Sequence, residues 1–126
     1  MAELSKGKHI AVWVISALLA ALFAIAAGPP KVIGAAEAVD GFTRYGYSAT
    51  FRVFIGLCEV AGGIGLLIPP LATWAAGGLI VIMAGAVYAL LANAEGAMAA
   101  IPLVVGLLLV VIALARRGQA FLLSSR

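Results

Sequence analysis

Residues 51–68 read FRVFIGLCEVAGGIGLLI, an apolar run with one carboxylate, Glu59, near its middle. As a helix this run is about 27 Å long, close to the hydrocarbon thickness of a bilayer. Arg52 opens it and Pro69-Pro70 follow it. Its reading as a membrane-spanning helix decides the fold class, because the segments on either side are more apolar still.

The chain has 126 residues, 65% hydrophobic and 10% charged. A soluble domain is about half apolar and about a quarter charged. The bilayer must therefore act as solvent for most of this chain, and its length fits one domain, 1–126. The net charge of +3 carries no nucleic-acid signal, since the basic residues sit at the ends of apolar segments rather than in a stripe. A single cysteine, Cys58, excludes an intrachain disulfide and a CxxC redox pair. With His9 as the lone histidine, a metal site built from His and Cys within one chain is excluded too, and no haem or flavin ligand set is visible.

Working outward from Phe51–Ile68, spans are expected at 10–27, 71–91 and 98–115. The expected fold class is all-α, a four-transmembrane-helix bundle. Ile10–Ala27 follows a short polar tail with Lys6 and Lys8. This start has features of a secretory signal peptide, but the apolar run is longer than a usual signal core, so it is read as a span. Gly28-Pro29-Pro30 is expected to end it. Residues 35–44, AAEAVDGFTR, have helical spacing, with Asp40 and Arg44 four apart in the order that suits a helix surface. Tyr45-Gly46-Tyr47 adds two rings with polar tips, which favour the membrane interface. A short interfacial helix at 35–44 is therefore expected between spans one and two. Gly56 and Gly63, and again Gly78 and Gly85, recur at seven and mark faces where helices approach closely. Pro69-Pro70 is expected to form a tight turn, and Pro102 falls in the first turn of the last span, where its missing N–H does little harm.

Four spans place both termini on one side. The tails carry Lys6, Lys8, Arg116, Arg117 and Arg126, whereas the other side carries Lys31, Arg44 and Arg52 offset by Glu37, Asp40 and Glu95. The positive-inside bias then predicts cytoplasmic termini, with the inner (cytoplasmic) membrane as the location. Trp13 and Trp74 fall at the same interface in that arrangement.

Glu59 needs an explanation, for a charged acid at mid-membrane costs about 3 kcal/mol on insertion scales. Protonation, pairing with Lys31 or Arg52, or a ligand group would each lower that cost. Arg52 lies seven residues before Glu59 on nearly the same face, roughly 10 Å above it, and Lys31 and Tyr88 approach the same level from spans one and three. These four residues form the candidate site, with Glu59 as the proton-handling group and Lys31, Arg52 and Tyr88 as ligand-binding groups. Each also has a structural reading: Glu59 as a helix-to-helix hydrogen bonder, Lys31, Arg52 and Tyr88 as interfacial anchors. Cys58 points about 100° away from Glu59 and reads as a small buried side chain.

The order Gly28, Lys31, Gly46-Tyr47, then Arg52-xxx-Gly56-xx-Glu59-xxx-Gly63 and Pro69 resembles the DoxX and DoxX-like family of small four-helix membrane proteins. That resemblance spans most of the chain. It implies a four-helix bundle and a link to membrane redox chemistry, since the family name comes from a subunit of a thiosulfate:quinone oxidoreductase and related members are associated with oxidative-stress systems. It does not carry thiosulfate oxidation to this chain alone, whose lone cysteine gives no dithiol. The leading expectation is a membrane subunit that binds a quinone or similar lipophilic ligand, with electrons supplied by a membrane or peripheral redox partner. A structural or assembly subunit without ligand is the alternative, and a transporter, with its pathway between the protomers of a homo-oligomer, ranks third.

Overall fold

A computed structural model describes residues 6–120. The described chain is all helix and turn, with five α-helices. Helix α1 runs Lys6–Ile33, α2 Ala36–Arg44, α3 Ala49–Gly65, α4 Pro69–Ala92 and α5 Ala100–Arg116. Short 3-10 turns, Gly96–Ala99 and Arg117–Gln119, flank α5. Arg126 of the expected basic tail lies outside the described residues.

Three helical stretches are long and apolar enough to cross a membrane: Lys6–Ile33, Pro69–Ala92 and Gly96–Gln119. Helix α3 has 17 residues. The helices turn much of their apolar surface outward, with Leu18, Ile25, Val81, Leu91 and Ile101 all exposed. A water-soluble monomer does not tolerate so continuous an apolar exterior, and the protein is an integral membrane protein. Its interior packs Leu19 and Phe23 of α1 with Leu66, Leu79 and Met83, and with Leu109 and Ile112 of α5.

The four longer helices form a ring. Helix α1 packs along α3 and touches α5, α5 packs along α4, and α4 closes on α3. Glycine makes two of these contacts possible. Gly28 and Gly56 lie where α1 crosses α3: a Cβ on Gly28 would fall 2.9 Å from the Gly56 carbonyl oxygen, and one on Gly56 would fall 2.9 Å from the Gly28 carbonyl oxygen. Gly62 and Gly65 admit Leu79 and Ala75 of α4. Within the described chain Gly78 and Gly85 meet no other helix: an added Cβ at either would find nothing within 4 Å. Thr73 fastens the α4–α5 seam by donating from Oγ1 to the Ala113 carbonyl at 2.9 Å. Near the terminal end, the buried guanidinium of Arg116 lies 4.6 Å from the Trp13 ring and joins α5 to α1.

The first helix does not end at Gly28-Pro29-Pro30 as expected. A π-helical turn over Leu22–Ala27, with the Gly28 N–H bonded to the Phe23 carbonyl, leads into a final α-helical stretch, Gly28–Ile33. The prolines occupy the first positions of that stretch, where a missing N–H is harmless. The stop is Gly34, whose φ of 78° provides the left-handed exit. Pro69-Pro70 behaves in the same way and opens α4, the turn itself being Leu66–Ile68. Helix α3 begins at Ala49, with Ser48 as its cap accepting from the Phe51 N–H at 3.1 Å. The expected short helix is present over Ala36–Arg44, between α1 and α3, and packs against α3.

Candidate functional site

Two sequence features set the site. The continuation of α1 past its prolines carries Lys31 one turn beyond the Gly28–Gly56 crossing, and α3 carries Glu59 one turn beyond Gly56. The close crossing lets them meet: Lys31 Nζ lies 2.8 Å from Glu59 Oε1. Glu59 is 2% exposed, and Lys31 is partly buried. Lys31 Nζ also donates to the Ala27 carbonyl at 3.0 Å. The contact is a close ion pair that neutralises a carboxylate enclosed in the bundle.

Both side chains line a half-open cavity of about 1160 Å³ to which all four longer helices contribute. Phe23 of α1, Ile55 and Cys58 of α3, Ile82 of α4 and Val105 of α5 contribute to its walls, which are overwhelmingly apolar. Helix α2 covers one end through Glu37, Ala38, Gly41 and Phe42. The cavity also reaches the bundle surface, since Phe54, Val81, Met98 and Ile101 line it and are more than half exposed. An ion pair that is neutral as a whole, set in an apolar chamber, is suited to hold a lipophilic molecule by one polar group.

The structure brings Lys31 and Glu59 together and places the other two sequence-predicted residues differently. Arg52 Nε donates to the Lys31 carbonyl at 3.0 Å, so it ties the end of α1 to the start of α3 and does not line the cavity. Tyr88 is 69% exposed on the outside of α4 and lies apart from the pair, because its position in the helical turn faces away from the ring. Cys58 lines the cavity and is half-buried.

Sequence reasoning missed a second polar cluster at the covered end. The Tyr45 hydroxyl donates to Glu95 Oε1, and Arg44 Nε lies 3.5 Å from Glu95 Oε2. The hydrogen bond to Tyr45 and the charge of Glu95 hold the Arg44 guanidinium further above its usual range. Arg44 thus finds its close partner on the α4–α5 turn, not in Asp40. Phe42, Tyr47 and Phe51 add a ring cluster with centroids 5.1–6.2 Å apart. Together these contacts strap α2 across the cavity. Only the aromatic spacing of Tyr45-Gly46-Tyr47 hinted at this, since the Glu95 partner is distant in sequence. Tyr45→Phe removes one hydrogen bond, worth about 1 kcal/mol. Its expected effect is faster amide exchange over residues 36–47 with little change in α4 and α5, read by hydrogen exchange in detergent.

The sequence model of the DoxX-like family matches residues 14–112. That range contains Lys31, Arg52, Glu59 and Tyr88. No curated protein and no solved structure matches the chain.

Proposed function

The chain belongs to the DoxX-like family, and from that premise we propose that it is a four-span membrane subunit that binds a quinone or similar lipophilic molecule for a membrane redox system. One observation carries the reading: a Lys31–Glu59 pair with a buried carboxylate lines a half-open apolar cavity of about 1160 Å³. A quinone head has polar oxygens that need such a pair, and its tail needs such walls. Glu59 exchanges the proton with the bound head, Lys31 orients its oxygen, and Arg52 holds Lys31 in place through its carbonyl. The electrons pass to or from a partner redox protein.

The span count and orientation belong to the same proposal. Helix α3, at about 26 Å, is long enough to cross hydrocarbon with slight thinning. Four crossings put Lys6, Lys8, Arg116 and Arg117 on one side, cytoplasmic by the positive-inside bias, in the inner membrane. Lys31, α2 and the Glu95 turn then face outward. Reporter fusions are expected to place both termini in the cytoplasm.

Gentle purification followed by organic extraction tests the function. A stoichiometric quinone is expected from the wild-type protein and is expected to be lost from Glu59→Gln and strongly depleted in Arg52→Ala, with the helical fold retained. A second reading, a structural subunit without ligand, is favoured by the use of Arg52 to join two helix ends. It predicts no extractable ligand and a stable complex with another membrane protein.

A further inference from the structure

We infer that the cavity selects a long-chain amphiphile whose uncharged head bears a hydroxyl group, so that within the quinone class the reduced, dihydroxy form is the one it holds. The inference rests on the proposed lipophilic site and specifies the chemistry of its occupant.

The Lys31–Glu59 pair leaves hydrogen-bond capacity open to a ligand. The Glu59 carboxylate is buried and lines the cavity wall; Lys31 Nζ, 2.8 Å from Oε1, fills one of its several acceptor sites, so it offers a further acceptor. Lys31 Nζ has three N–H bonds: one goes to the Ala27 carbonyl, and a second is directed at Glu59. The third is left for a ligand oxygen. A hydroxyl group serves both needs at once, donating to Glu59 and accepting from Lys31. A quinone carbonyl or an ether oxygen can only accept, which leaves the remaining acceptor sites of the buried carboxylate unfilled. The pair is neutral as a whole, so a charged head would enter an apolar chamber without compensation. A carboxylate would face Glu59, and an ammonium would face Lys31.

The tail is indicated separately. Gly78 and Gly85 line the cavity, and an added Cβ at either meets open space within 4 Å. Phe54 and Cys58 of α3 line the same cavity, as does Val81, which is 71% exposed at its rim. A cavity above the usual range for a small-molecule head has room for a chain as well. The chain lies along the glycine face of α4 and leaves sideways into the bilayer.

The test uses the full-length protein in mild detergent and native mass spectrometry. The probes are a long-chain alkylphenol, its methyl ether, an alkylated benzoquinone and the corresponding hydroquinone, the last kept anaerobic. The phenol is expected to bind about tenfold more tightly than its ether, and the hydroquinone about tenfold more tightly than the quinone. In Lys31→Met/Glu59→Leu, which removes both charges together, the phenol-to-ether ratio is expected to fall to about one. Equal binding of phenol and ether to the wild type overturns the inference, and leaves the quinone reading standing if quinone and hydroquinone still bind. Tight phenol binding with neither quinone form bound supports the hydroxyl selection and removes the quinone reading. Failure of all four probes overturns both.

Discussion

Replacing Lys31 with methionine lowers the melting temperature of the protein in mild detergent by on the order of 10 °C, and adding Glu59→Leu to that variant restores most of the loss. The single change leaves the Glu59 carboxylate, 2% exposed, without the ammonium group 2.8 Å away. Removing one partner of a buried pair costs about 3 kcal/mol, because the other charge remains in a medium that solvates it poorly. For a chain of this length, that corresponds to a shift of the stated order. The double replacement removes the charge that would be stranded, and apolar side chains of similar volume often do as well as the pair they replace. The Arg52 contact survives both changes because it uses the Lys31 carbonyl rather than the side chain. The two variants therefore differ in stability and agree in function: both bind the ligand more weakly than the wild type and without preference for a hydroxyl head. Melting of the single variant at the wild-type temperature would show that the pair contributes nothing to the fold, and wild-type ligand affinity in the double variant would remove the pair from the site.

The membrane character of the chain was legible because hydropathy is summed over long runs and tolerates local error. The identity of Glu59 as the residue needing explanation was legible for the same reason, since one acid stands out in hydrocarbon. Its pairing with Lys31 rather than Arg52 was not. That choice depends on α1 continuing beyond Pro29-Pro30, and a proline pair has the same composition whether it ends one helix or begins the next. In this chain both pairs begin helical stretches, with a π-helical turn before the first. The rotation of α4 was equally hidden. Its mean apolarity is high on every side, so periodicity could not show that Tyr88 faces out while Gly78 and Gly85 face the cavity. The Tyr45–Glu95 strap joins residues 50 apart in the chain, and no local signal encodes that contact.

Among single substitutions in the helix ring, Gly56→Val is expected to have the largest effect: loss of a monodisperse folded protein on purification. A Cβ at this position falls 2.8 Å from Lys31 Cβ and 2.9 Å from both the Gly28 carbonyl oxygen and Val32 Cγ2. Two of those neighbours are a backbone atom and a Cβ, so no flexible side-chain end can swing away from them. Relief requires α1 to move off α3. Overpacking of this kind costs about 1–3 kcal/mol where neighbours can adjust, and more where backbones meet. The same displacement separates Lys31 from Glu59, since the crossing lies about one turn from both. Gly56→Ala is therefore the informative milder variant: it is expected to fold with reduced stability and to lose ligand before it loses helicity. Gly78→Ala and Gly85→Ala provide the contrast, because their added methyl groups meet open space, and alanine favours a helix over glycine. They are expected to melt at or above the wild-type temperature while narrowing the cavity proposed for the tail. If Gly56→Ala proves as benign as Gly85→Ala, then α1 and α3 do not meet at this crossing, and the juxtaposition of Lys31 with Glu59 falls with it.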